Sequence, residues 1–109
     1  MFRFFEKLKA LDPALAKGFK KFVIDKNKMS KQFIPKHYLD NVVKKVGGEE
    51  NLVFELYRKI GAGSYTPFVP IPTGSHIVVK INIQGFDVTI QLSKFDGIVR
   101  IGSLWIPQP

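Results

Sequence analysis

Apolar residues recur along this chain at two periods, and the change falls near residue 61. Before it, Leu15, Phe19, Phe22 and Val23 follow one another at helical spacing, with Lys17, Lys20 and Lys21 largely on another face. Asp12-Pro13 opens that helix, the aspartate as N-cap and the proline in the first turn. Phe4, Phe5, Leu8 and Leu11 make a shorter amphipathic segment ahead of it. Residues 25–34, polar and cationic, read as a loop or a frayed end. Pro35 starts the next helix, in which Leu39, Val42, Val43 and Val46 form a stripe at i, i+3, i+4 and i+7. His37, Asn41 and Lys44 fall off that stripe, and Gly47-Gly48 ends the helix. A third helix over 49–60 turns Leu52, Val53, Leu56 and Ile60 inward.

Beyond residue 61 the period is two. Residues 65–72 hold three prolines and supply at most an edge strand or a stiff connection. Ile77, Val79, Ile81 and Ile83 alternate, as do Phe86, Val88, Ile90 and Leu92. Gln84-Gly85 and Asp96-Gly97 mark the two tight turns. Val99, Ile101, Ser103 and Trp105 are expected on one face of the last strand. The pattern predicts an α+β fold, with N-terminal helices packed on one face of a small antiparallel meander of three to four strands. Residues 1–109 form one domain, helical and basic over 1–60 and sheet over 61–109.

Composition narrows the function. The 109 residues include no cysteine and two histidines, which excludes thiol nucleophiles, disulfides and cysteine zinc sites and argues against a structural metal. No apolar run reaches a membrane span, and Glu6, Lys7 and Lys9 break the apolar start against a signal peptide. An N-terminal membrane-surface helix using Phe2, Phe4, Phe5 and Leu8 is too short for stable anchoring. The net charge is +8 and is unevenly spread, with 14 basic and 7 acidic residues in 1–60. Such a field attracts phosphate polymers, anionic lipid or an acidic protein, unless it is only a solvated face.

The chain has no phosphate-cradling glycine loop, no dinucleotide fingerprint, no HExxH and no convincing carboxylate pair. What remains is a metal-free and cofactor-free set of His, Lys, Ser, Thr and aromatic side chains. That set suits cleavage of RNA by its own 2′-hydroxyl. A histidine moves the proton, lysines stabilise the phosphorane charge, and the substrate supplies the nucleophile. His37, after Lys36 in the first turn of its helix, is the first candidate. A helix N-terminus there disfavours the imidazolium and suits a base. His76, at the start of the first strand, is the second. Ser103 and Trp105, at i and i+2, are placed to meet a phosphate and a base. Lys80 and Arg100 on strands, with Lys17, Lys20, Lys21 and Lys31, supply phosphate contacts.

The order Lys36-His37, Gly63-Ser64-Tyr65, Gly74-Ser75 and Ser103-Leu104-Trp105 resembles the C-terminal nuclease domains of the colicin D type and related toxin tips of contact-dependent inhibition systems. These belong to the barnase, EndoU, colicin and RelE-like group of ribonucleases. The resemblance covers roughly residues 31–107. It implies a metal-independent toxin endoribonuclease acting on transfer RNA and neutralised by an acidic immunity protein. It also implies a monomer, secreted or cell-surface delivered on a larger protein, that acts in the target-cell cytoplasm. His37 would be the catalytic base or acid, Lys36 a charge stabiliser, and Ser103 with Trp105 the sheet-side contacts. The family's further lysine, three positions before the histidine, is Ile34 here, and Lys31 is its nearest upstream substitute. The alternative from another class is a non-enzymatic RNA- or DNA-binding module that uses the same lysines and aromatics.

Overall fold

Asp12 ends one helix and caps the next. In the computed structural model, which describes residues 2–108, α1 spans Phe2–Leu11 and α2 spans Pro13–Ile24. The Leu15 N–H donates to the Asp12 carboxylate at 3.3 Å, and Pro13 stands where the first turn has no use for an N–H. α2 buries Leu15, Ala16, Gly18, Phe19 and Phe22 and leaves Lys17, Lys20 and Lys21 in water. The Phe19 ring centroid lies 4.7 Å from Phe54 and 5.6 Å from Tyr57, the latter edge-on. Leu8 is buried, but Leu11, the last residue of α1, is 85% exposed and takes no part in the expected apolar face. The side chain of Phe4 lies outside the described residues.

Residues 25–34 are not a loop. Asp25 accepts from the Lys28 N–H at 3.1 Å and caps a further helix, α3, over Lys26–Gln32. One capping carboxylate outweighs the weak propensity of a short cationic stretch. Pro35 likewise does not begin the next long helix. It opens a 3-10 turn over Pro35–His37, closed by Tyr38 in the left-handed region at φ 56°. α4 then covers Asp40–Val46, and α5 covers Glu49–Gly61. Gly47, at φ 90°, separates the two as the double glycine predicts.

The sheet is a meander of three strands, β1 His76–Ile83, β2 Phe86–Phe95 and β3 Ile98–Trp105, in that spatial order. Both hairpin turns have positive φ at each central residue, at Gln84-Gly85 and at Asp96-Gly97. The proline-rich span makes no fourth strand. It contributes isolated bridges from Thr66 to Lys80 and from Thr73 to Lys94. Val79, Ile81, Ile83, Val88, Ile90 and Leu92 form the inner face, closed by α2 and α5. The result is an α+β fold of five α-helices against one antiparallel sheet among the described residues.

One register shift decides where the candidate chemistry lies. Gln91 pairs with Ser103, whereas Leu92 pairs with Ile101, so Gly102 is an extra residue, a β-bulge. Val99, Ile101 and Leu104 are therefore the buried residues of β3. Ser103 and Trp105 do share a face, but not with Val99 and Ile101 as strict alternation predicts. The bulge turns them to the outer face of the sheet, with Arg100.

Candidate functional site

The outer edge of β3 offers backbone groups with no strand to pair with, and Gln32 takes them. Its amide oxygen accepts from the Leu104 N–H at 3.2 Å, and its amide nitrogen donates to the Gly102 carbonyl at 3.5 Å. Gln32 thus grips the strand on both sides of Ser103, and it is 8% exposed. Its own backbone carbonyl lies 2.6 Å from His37 Nδ1. A carbonyl can only accept, so in the neutral ring the proton sits on Nδ1 and the lone pair on Nε2. The His37 carbonyl in turn accepts from Ile106 N–H at 2.9 Å, one residue past Trp105. Gln32 and the 3-10 turn therefore hold a half-buried imidazole at the edge that carries Ser103.

This differs from the sequence expectation in one respect. His37 ends a 3-10 turn two residues ahead of Leu39, the N-cap of α4, and does not stand in the first turn of that helix. Its tautomer comes from the Gln32 carbonyl instead. Lys36 is exposed beside it. Tyr38 follows in a left-handed conformation that bulky side chains adopt only at a cost of about 1–3 kcal/mol. Pro35, Tyr38, Phe86 and Ile106 line a neighbouring groove of about 380 Å³. That volume lies within the range of about 300–1,000 Å³ typical of small-molecule sites.

The outer face of the sheet follows from the strand register. Lys80, Thr89 and Trp105 form one row across the three strands, and His76, Ser93 and Arg100 form another. Gln91 and Ser103 lie between them. Thr89 is 6% exposed, and its hydroxyl has no hydrogen-bond partner among the described residues. The sequence-predicted Ser103, Trp105, Lys80, Arg100 and His76 thus share one face. His37 meets the end of β3 beside Trp105 through its backbone, its carbonyl accepting from the Ile106 N–H. His76 does not, since strand rise and spacing across this register separate it from His37 by roughly 20 Å. The two histidines are not one acid–base pair.

Lys17, Lys20 and Lys21 line a shallow exposed surface of α2 together with Ile24 and Asp25, and Lys31 is exposed on α3. Among the described residues no group of three or more His, Asp and Glu gathers as a metal site would. Sequence reasoning missed Gln32, Thr89 and Lys28. The first and last stood in a stretch read as loop, and Thr89 gave no signal beyond strand alternation. Compared with protein-family models, with curated proteins and with solved structures, the chain matches none. The geometry itself carries the functional argument.

Proposed function

We propose that this chain is a metal-independent endoribonuclease that cleaves RNA through the substrate's own 2′-hydroxyl. The observation that carries the reading is the 2.6 Å contact between the Gln32 carbonyl and His37 Nδ1. It leaves Nε2 as the basic atom of a half-buried imidazole at the edge of a cationic sheet face. In the reaction, Nε2 takes the proton of the 2′-hydroxyl as its oxygen attacks phosphorus. The bond from phosphorus to the 5′-oxygen breaks, and the leaving oxygen takes a proton from solvent. The products are a 2′,3′-cyclic phosphate and a 5′-hydroxyl. Lys36 and Lys80 stabilise the charge on the pentacoordinate phosphorus, Ser103 donates to one of its oxygens, and Trp105 stacks on a base.

The resemblance to toxin nucleases makes transfer RNA the first substrate to test and an acidic immunity protein the expected partner. It also motivates delivery on a larger protein into a target cell. The basic helical half supports an acidic partner, because complementary charge speeds association. No helix among the described residues is long and apolar enough to cross a membrane.

One observation favours a second reading, a non-enzymatic RNA-binding module. Only one histidine stands at this end of β3, so the acid half of an acid–base pair is missing from it. Incubation with total transfer RNA in EDTA separates the two. The nuclease cuts the RNA and leaves cyclic phosphate ends, and an all-deoxy analogue survives. A binding module retards the RNA intact.

A further inference from the structure

A cationic cleft lies on the seam between α2, α3 and β3, away from the His37 corner. It forms because Gly18 lets α2 approach β3 so closely that a Cβ there would overlap the Val99 carbonyl. Lys21, Lys28 and Arg100 line it, with Asp25 and Tyr57, around a space of about 150 Å³. That is room enough for one tetrahedral oxyanion.

The charges on its walls do not cancel. Three cations face one carboxylate, and that carboxylate already accepts the Lys28 backbone N–H as the cap of α3. Among the described residues Arg58–Glu55 forms an ion pair, while Lys21, Lys28 and Arg100 form none. The Arg100 guanidinium stands 5.4 Å from the Phe95 ring centroid, and its Nε is withdrawn from water without a hydrogen-bond partner among the described residues. A charged donor left so is unfavourable until a partner meets it. Burial, then Arg100, lowers the Lys28 ammonium from the ordinary lysine range, Asp25 opposes this, and Lys21 adds to it. Half-buried Lys28 and Arg100, with exposed Lys21 at the rim, leave uncompensated positive charge at the seam.

We infer that the Lys21–Lys28–Arg100 cleft is a binding subsite for one phosphate group. Arg100 offers a planar fork to the phosphate oxygens, and the lysines act as point charges beside it. The Tyr57 hydroxyl on the same wall is buried and donates to the Val99 carbonyl at 3.5 Å, so it forms part of the cleft floor and leaves the anion to the cations. Burial raises the Tyr57 phenol and keeps it protonated. Taking that phosphate from an RNA backbone rests on the reading above. Arg100 also belongs to the sheet face of Ser103 and Trp105, so a strand lying along β3 would reach both.

The experiment compares the wild type with Lys28→Met, Arg100→Gln and, as control, Lys45→Met on the exposed side of α4. One arm follows the melting temperature in sodium phosphate against sodium chloride at matched ionic strength. The other measures affinity for a single-stranded 2′-O-methyl oligoribonucleotide, which cannot be cut. Phosphate should raise the wild-type melting temperature above chloride and do so in neither cleft variant. Each cleft variant should lose about tenfold in RNA affinity, and Lys45→Met less than twofold. A phosphate effect without RNA binding keeps the subsite, assigns it to free phosphate or a monoester, and removes the RNA reading. RNA binding with no phosphate effect, and with cleft variants equal to Lys45→Met, overturns the subsite and leaves the RNA reading standing.

Discussion

Gln32 touches both the stability and the candidate chemistry of this protein through one side chain and one carbonyl. Replacing it with Leu keeps the volume but strands the Leu104 N–H. An unmet buried donor costs about 1–3 kcal/mol, so chemical denaturation of Gln32→Leu should show a loss of that size. Because the carbonyl belongs to the backbone, the His37 tautomer survives, while the edge that presents Ser103 loosens. Lys28 makes the opposite prediction. Its folded-state pKa is lowered, chiefly by burial and next by Arg100, with Asp25 opposing and Lys21 assisting. Between the folded and unfolded values the unfolded chain binds more protons, so this group's contribution to stability rises with pH. Below both values the folded state carries the full penalty. Lys28→Met should therefore be more stable than wild type near pH 7, and the difference should shrink as pH approaches the unfolded value of about 10.4. Melting curves across that window check the sign, and a gap that widens with pH contradicts it.

At the scale of elements, the α2–β3 seam tolerates no added atom at Gly18. Gly18→Ala improves helix propensity by about 1 kcal/mol, yet it drives a methyl into the Val99 carbonyl. A net destabilisation on the order of 3 kcal/mol should follow, read from the denaturation midpoint. Deleting Gly102 tests the bulge: with Ile101 followed directly by Ser103, strict alternation keeps Ser103 and Trp105 outward and Leu104 inward, so the denaturation midpoint should fall only by what the Gln32 bond to the Gly102 carbonyl contributes. Elements of this kind mark what the sequence could tell. Asp12-Pro13, the double glycine at 47–48 and the two turn dipeptides are local signals, and the structure places each as read. α3 was illegible because one capping carboxylate, not periodicity, makes it. The 3-10 turn at Pro35 was hidden because Tyr38 adopts a left-handed conformation with no glycine to announce it. The bulge was hidden because a register shift belongs to two strands, not one. That Ser103 and Trp105 share a face was legible from their i, i+2 spacing, and that it is the outer face, with Arg100, emerged only with the bulge. The separation of His37 from His76 needed the sheet.

For the whole molecule, charge is the long-range determinant. The lysines of α2 are exposed, and if they meet RNA phosphates each should add about 0.7 to the slope of log affinity against log salt. Replacing Lys17, Lys20 and Lys21 with Gln should flatten that slope by about 2. An unchanged slope would make this face merely solvating. An active toxin should also arrest a bacterial host that lacks an acidic partner, and ordinary growth would count against that role. The most direct test concerns His37. Wild type and His37→Ala are given transfer RNA in EDTA, with cleavage rate and RNA affinity measured on the same preparations. Loss of a proton-transfer group typically lowers rate by about 10² to 10⁴, so His37→Ala should fall by that factor, stay folded and bind RNA as wild type does. Cleavage by His37→Ala at the wild-type rate, or no cleavage by the folded wild type, would contradict the assignment of His37 as the base.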